Sequence, residues 1–437
     1  MPTILVIIGI TGDLSRRKLL PAIGEMATAG VLPKQFRIVG ITRQQTVTLD
    51  GLLTGVKHAE QVREQMTLFP MSLADTGDFT RLDTYLNKIG NEFHRAPQRL
   101  WYLAVPPKTA WPIIKQLDVS GLAKVPHTKL LLEKPFGVDG ESARKLVTHI
   151  ENSLAAEQVY RIDHYLAKET VQNIIVFRHN NSLFERTWNR DFIERVDILT
   201  SETIGIEGRA AFYEQTGALR DIVQSHLLQL TALTLMTLPR EGEWRHIPEA
   251  RHALLRSLEV TPDRIHRGQY VGYRDEVSNS DSMVETFASL TLFSNDPRWK
   301  DVPITLTTGK ALAQKKTEIV ITYRRNGAPE ANRLVLRLQP NEGIELCFFA
   351  KHPGYIQKID RVPLTFTYAD HFGALPDAYE HVFLDAVRGD HTLFVSSEEV
   401  LESWRIIDAT RKVWESRPVN LVLYPRGATP EQVLGLE

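Results

Sequence analysis

The sequence predicts an α/β domain built on a parallel sheet, followed by an α+β domain with a large, mostly antiparallel sheet. Three observations carry this prediction. The chain has 437 residues, too many for one typical domain. Its N-terminal part alternates short apolar runs with helical stretches. After about residue 190, strand-like segments follow one another with few helices between them.

Residues 4–8, 37–41, 100–104 and 129–132 read as strands, and residues 16–29, 79–93, 110–117 and 141–155 as helices. These strand runs are apolar on both faces, which places helices on both sides of a parallel sheet. In the second part, residues 192–200, 283–293, 304–307, 317–323, 334–338, 344–350 and 364–368 read as strands. Several of them alternate apolar and polar side chains, the pattern of an antiparallel sheet. Helices are expected at residues 217–236, 378–387 and 397–414. The join is expected near residue 160, giving domains 1–160 and 161–437.

Composition narrows the function classes. A formal net charge of -1 gives no basic surplus for nucleic acid and no acidic tail. The single cysteine, Cys347, excludes an internal disulfide and a zinc site with several cysteines, and no metal site is expected. Its neighbours Ile344-Glu345-Leu346-Cys347-Phe348-Phe349 read as strand core. The opening Met1-Pro2-Thr3-Ile4-Leu5-Val6 lacks the basic start of a signal peptide. The longest mostly apolar stretch, residues 227–238, is interrupted by Gln229, Thr231, Thr234 and Thr237, and is too short to span a bilayer. A soluble, cytoplasmic protein acting on a small molecule is the expectation.

Gly9-Ile10-Thr11-Gly12-Asp13-Leu14 joins the first strand to the first helix. Glycine there lets backbone approach a pyrophosphate, whose charge meets the free N–H groups of the helix start. The first domain is therefore read as a Rossmann-type coenzyme domain, although the pattern is shorter than a full GxGxxG. The second strand runs into Thr42-Arg43-Gln44. An NAD site usually carries an acidic residue here, to hold the ribose hydroxyls. Arg43 would instead pair with a 2′-phosphate, so NADP is favoured, with NAD as the weaker alternative. Pro106 lies in a proline turn at the end of another strand, suited to lining a cofactor or simply to rigid packing. Lys134, in Glu133-Lys134-Pro135-Phe136-Gly137, projects past a strand end where ligands bind. A salt-bridged surface lysine would fit the same residues.

Polar side chains are densest in Arg161-Ile162-Asp163-His164-Tyr165-Leu166-Ala167-Lys168-Glu169. If this stretch is helical from His164, then His164 and Lys168 share a face with Tyr165 beside them, a set of donors for a dianionic phosphate. A second cluster surrounds Arg220-Asp221 and His226 in an apolar helix. A lone histidine there reads as a core residue unless a distant Asp meets it. Asp221 and His226 are five apart, on different faces of an α-helix. A neutral imidazole suits removal of a hydroxyl proton while hydride leaves the same carbon.

Together these blocks resemble the glucose-6-phosphate dehydrogenase family. The match continues through Val171-Gln172-Asn173, Trp188-Asn189-Arg190-Asp191, His226-Leu227-Leu228-Gln229 and Gly309-Lys310-Ala311-Leu312. It extends to Gln339-Pro340-Asn341-Glu342-Gly343, Asp377-Ala378-Tyr379-Glu380 and Arg388-Gly389-Asp390, in the family's order. The resemblance implies His226 as catalytic base and Asp163 as its carboxylate partner. It implies His164, Tyr165 and Lys168 at the phosphate, and Glu202 and Asp221 at the sugar hydroxyls. Lys134 would lie near substrate and cofactor, Lys18 and Lys310 on the substrate side, and Lys315 near a basic position beside the phosphate. Gly9, Thr11, Gly12, Asp13, Leu14, Arg43, Gln44, Pro106 and Lys134 are the expected cofactor contacts. Oxidation of glucose 6-phosphate to the lactone with reduction of NADP is implied, in a homodimer or a dimer of dimers formed through the large sheet. Two alternatives are a related dehydrogenase acting on another sugar and an inactive regulatory relative. The tail beyond Tyr424 is short for the second, structural NADP that some members bind.

Overall fold

Two six-residue strands buried along their whole length set the centre of the first sheet. In the computed structural model, which describes residues 1–240, 242–328, 330–416 and 421–436, six parallel strands form that sheet. They are β1 (Thr3–Ile8), β2 (Phe36–Thr42), β3 (Met66–Pro70), β4 (Gln98–Leu103), β5 (Thr128–Glu133) and β6 (Val159–Ile162). Their order is β3-β2-β1-β4-β5-β6, the doubly wound order of dinucleotide-binding domains. All residues of β1 and β4 are buried, as double-sided apolar strands require. The sequence reading did not anticipate β3 and β6. Both are short edge strands, and β3 ends in Pro70, which an edge tolerates.

Helices Leu20–Thr28, Thr76–Asn91, Pro107–Val119 and Gly140–Ser153 flank the strands. Asp75 caps the second of these by accepting from the Gly77 N–H, and Asp139 forms a capping box with Ser142 at the fourth. The chain divides into two compact units: Met1–Ala167 with Pro376–Ser397, and Lys168–Leu375 with Glu398–Glu437. The first unit runs past residue 160 because β6 pairs with β5. It also takes in helix Ala378–Arg388, whose Tyr379, Val382, Phe383 and Ala386 share a buried cluster with Leu5, Ile7, Leu100 and Leu131.

The second unit carries a nine-stranded sheet. Its strands are β7 (Ile193–Ser201), β8 (Leu258–Tyr270), β9 (Phe287–Ser294), β10 (Ile304–Gly309), β11 (Lys316–Tyr323), β12 (Arg333–Gln339), β13 (Gly343–Lys351), β14 (Ile359–Thr367) and β15 (Leu421–Tyr424). The order is β14-β13-β12-β11-β7-β10-β9-β8-β15. Pairing is antiparallel except for β7 with β10 and β8 with β15, so the fold class read from the sequence holds. Strand β8 escaped that reading because Pro262 and Gly268 interrupt it and its register shifts between Val260 and Ile265. Cys347 is buried in β13, as expected. No helix among the described residues is long and apolar enough to cross a membrane.

The helix expected over residues 217–236 is three segments. Helix Ala210–Ala218 breaks at Gly217, where φ is 63° and ψ 179°. A π-helical segment, Leu219–Leu227, follows and passes into α-helix Leu228–Leu235. Gly217 is required there, since a Cβ would lie 2.3 Å from Oε1 of Glu285. That carboxylate accepts from the Leu219 N–H at 3.0 Å and so holds the start of the π-helical segment.

Candidate active site

In the first unit the glycine turn lies where the strand order reverses, beside β1 and β4. Gly9 has φ 96°, and a Cβ on it would sit 2.3 Å from the Ala104 carbonyl oxygen. Its own carbonyl accepts from the Gly12 N–H at 2.9 Å and from the Ser15 hydroxyl at 3.0 Å. A Cβ on Gly12 would come within 3.1 Å of the Gly9 oxygen. The turn is thus packed on its inner side, with glycine at both close approaches, which fits a backbone cradle for a pyrophosphate. Asp13 is exposed and paired with Arg17 at 2.8 Å. Thr11 is exposed in the turn, and Leu14 is half-buried at the helix start.

After β2, the Thr42 hydroxyl accepts from the Gln44 N–H at 3.1 Å, fixing the bend that carries Arg43. Arg43 and Gln44 are exposed, and Gln45 rather than an acid follows them. The donor set fits a 2′-phosphate better than bare ribose hydroxyls. Pro106 precedes helix Pro107–Val119 just beyond β4. Lys134 follows β5, and its bond to Pro135 is cis. The neighbouring Glu133 accepts from the hydroxyls of Tyr102 and Tyr379. Burial pushes its carboxyl up to about 7, and nearby Asp163 pushes the same way. Lys18 pairs with Asp377 at 2.7 Å.

Residues 164–167 form turns, so the condition of a helix from His164 is not met; the helix starts at Glu169. The cause is Asp163. Its Oδ1 accepts from the Tyr165 N–H at 3.0 Å, and its carbonyl accepts from the Leu166 N–H, also at 3.0 Å. This Asx-type turn competes with helix. Asp163 and Tyr165 are buried, and the His164 ring lies parallel to that of Tyr379, 6.3 Å away. Lys168, just before the helix, falls in the second unit.

Within the second unit, Lys168 Nζ donates to Gln339 Oε1 at 2.6 Å. Gln339 in turn donates to Thr317 Oγ1 at 3.1 Å. The sequence reading did not single out Gln339 as a site residue, although it opens one of the matched blocks. Glu202 and Lys310 form an ion pair. Lys310 is buried, with its ammonium 5.4 Å from the Tyr213 ring centroid. Lys315 is exposed in the loop before β11. Asp221 and His226 both lie in the π-helical segment. Hydrogen bonds there run from residue i to i+5, so two residues five apart come nearly onto one face. The α-helical expectation had separated them. His226 is buried and Asp221 half-buried.

A doubly wound sheet with a glycine turn, joined to a mixed-sheet unit carrying these polar sets, defines a dinucleotide-binding oxidoreductase. Residues 6–173 match the family described as glucose-6-phosphate dehydrogenase, NAD binding domain, and residues 175–434 match its C-terminal domain. The chain belongs to the glucose-6-phosphate dehydrogenase family. It is 35% identical to a glucose-6-phosphate 1-dehydrogenase of Chlamydia muridarum, over 98% of this chain and 94% of that one. A glucose-6-phosphate dehydrogenase solved with its substrate glucose 6-phosphate is similar at TM-score 0.93 and 29% identity, covering 99% of this chain and 96% of that one. The glucose-6-phosphate 1-dehydrogenase of Mycobacterium avium is similar at TM-score 0.85 and 30% identity, covering 100% and 96%.

Proposed function

We propose that this chain oxidises D-glucose 6-phosphate at C1 to 6-phospho-D-glucono-1,5-lactone, with NADP as hydride acceptor. The observation that carries this reading is the likeness, at TM-score 0.93 over 99% of the chain, to the structure solved with that sugar phosphate. The nicotinamide, when bound, supplies the acceptor for the hydride leaving C1. The residues of this chain do the rest.

His226 is the base in this reading. A neutral imidazole takes the C1 hydroxyl proton as hydride departs, and a carboxylate on its other nitrogen fixes the tautomer and stabilises the imidazolium. Asp163 is the partner we assign to it. Lys168, His164 and Tyr165 bind the phosphate, with Lys315 adding positive charge. Glu202, Asp221 and Lys310 hold sugar hydroxyls, and Lys134 and Lys18 serve the side where sugar and cofactor approach. The glycine turn from Gly9 to Leu14 receives the pyrophosphate, Pro106 lines the cofactor, and Arg43 with Gln44 reads the 2′-phosphate.

A homodimer or dimer of dimers fits the outer end of the second sheet. Leu364 of β14 is 58% exposed and Phe372 just beyond it 71%. Cytoplasmic placement is part of the same reading. The test is a steady-state assay with glucose 6-phosphate and glucose, each with NADP and NAD. Glucose 6-phosphate with NADP should give by far the highest kcat/KM. Equal efficiency with unphosphorylated glucose would remove the phosphate site from this account.

A further inference from the structure

Lys310 sits just beyond β10, where its N–H still donates to the Thr286 carbonyl at 2.9 Å and the chain then turns away from the sheet. Directly after β10 the chain passes through Ala311 at φ 52°, a left-handed conformation that a residue with a Cβ resists. Two hydrogen bonds tie the turn to the chain after β7: Ala311 N–H to the Ile204 carbonyl and Leu312 N–H to that of Glu202, each 2.9 Å. Further support comes from the C-terminal segment. Tyr424 Oη donates to the Lys310 carbonyl at 2.8 Å. The Gly427 N–H donates to the Ala311 carbonyl at 2.8 Å, and the Ala313 N–H to the Ala428 carbonyl at 2.9 Å.

The Tyr424 contact has a fixed direction. The Lys310 carbonyl can only accept, so the single hydroxyl proton of Tyr424 goes to it. Tyr424 Oη then accepts from Thr286 Oγ1, 2.9 Å away, and Thr286 Oγ1 itself accepts from the Tyr270 N–H at 2.9 Å. The relay is buried, and Tyr424, Ala428 and Val433 share an apolar cluster with Ala311, Leu312, Phe287 and Tyr213. Tyr213 is the ring beneath the Lys310 ammonium.

We propose that Tyr424 is a positioning residue for the sugar site, and that the C-terminal segment clamps the turn that aims Lys310 at its place beside Glu202. This rests on the reading above, in which Lys310 and Glu202 face the sugar. Tyr424 touches neither reactant. It acts through the Lys310 backbone.

The experiment compares Tyr424→Phe, Thr286→Val, Val433→Ala and Lys310→Met in the full chain, measuring KM for both substrates, kcat and melting temperature. Loss of one buried hydrogen bond should raise the KM for glucose 6-phosphate about three- to ten-fold in Tyr424→Phe, with the KM for NADP nearly unchanged. Val433→Ala should lower the melting temperature without moving either KM. An unchanged sugar-phosphate KM in Tyr424→Phe, with a raised one in Lys310→Met, overturns the clamp and leaves the site reading standing. Unchanged values in both variants overturn the site reading and the clamp with it. An equal rise in Val433→Ala reduces Tyr424 to general stability and also overturns the proposal. If Tyr424→Phe does not fold, Thr286→Val interrogates the same relay, and an unchanged KM there refutes it.

Discussion

Tyr102 donates its hydroxyl proton to Glu133, and the two residues lie near the carboxyl ends of neighbouring strands of the first sheet. Tyr379 donates to the same carboxyl from a helix far along the chain. These phenols and the Lys134 charge pull the Glu133 pKa down, yet burial outweighs them and raises it to about 7.

That shift makes stability depend on pH. An acid whose folded pKa lies above its unfolded value of 4.5 binds a proton more tightly when folded. Its contribution is present at low pH and is lost as pH rises from about 4.5 to about 7, on the order of 3 kcal/mol at most. Asp385, also pushed up to about 7 by burial, adds a loss in the same window. Glu133→Gln should remove the first share, so that urea midpoints measured at about pH 5 and about pH 8 lie closer together than in the parent protein. Identical midpoint differences would show that Glu133 ionises at an ordinary carboxylate pKa.

Gly217→Ala tests the device that sets the π-helical segment. The new Cβ would lie 2.3 Å from a Glu285 oxygen that is buried and held by the Leu219 N–H. The backbone would also keep φ 63°, which alanine resists. Destabilisation of about 2 kcal/mol or more is expected, with turnover falling further than folded protein does, because Asp221 and His226 lose their shared face. Denaturant midpoints and active-site-normalised rates separate the two effects. A variant as stable and as active as the parent would mean the break at Gly217 is not needed.

Much of this was legible in the sequence, for physical reasons that also mark where legibility stops. Strands β1, β2, β4 and β5 are apolar on both faces and could be nothing but a buried parallel sheet. The turn at Gly9 showed itself because only glycine fits against Ala104. The π-helical segment left no trace, because its composition is that of any amphipathic helix and only its hydrogen bonds differ. Gln339 stayed hidden because a neutral amide in a strand carries no charge signal, although it contacts Lys168. The placement of Tyr379 in the first unit was equally invisible: an apolar helix face announces that it will be covered, not by which sheet.

Arg43→Ala should separate the two cofactors. The side chain is exposed, so its removal leaves the fold intact, and the bend survives through the bond from Gln44 N–H to Thr42. A lost charge-assisted pair with the 2′-phosphate should raise the KM for NADP about ten- to a hundred-fold. The KM for NAD, which lacks that phosphate, should change by less than about three-fold. Parallel losses for both cofactors would mean that Arg43 shapes the bend and does not read the phosphate.

His226→Ala bears on the chemistry itself. The imidazole is buried in the π-helical segment, so truncation leaves a cavity and costs some stability. A base acts on the proton in flight and adds little to substrate affinity. Its loss should therefore lower kcat on the order of 100- to 10,000-fold while the KM for glucose 6-phosphate stays within a few-fold. His226→Asn, which refills part of the volume, should recover stability without recovering rate. Asp163→Asn should act in the same direction, because an amide cannot stabilise the imidazolium. Turnover preserved in His226→Ala at a temperature where the variant is folded would reduce this histidine to a core residue and pass the role of base to another group.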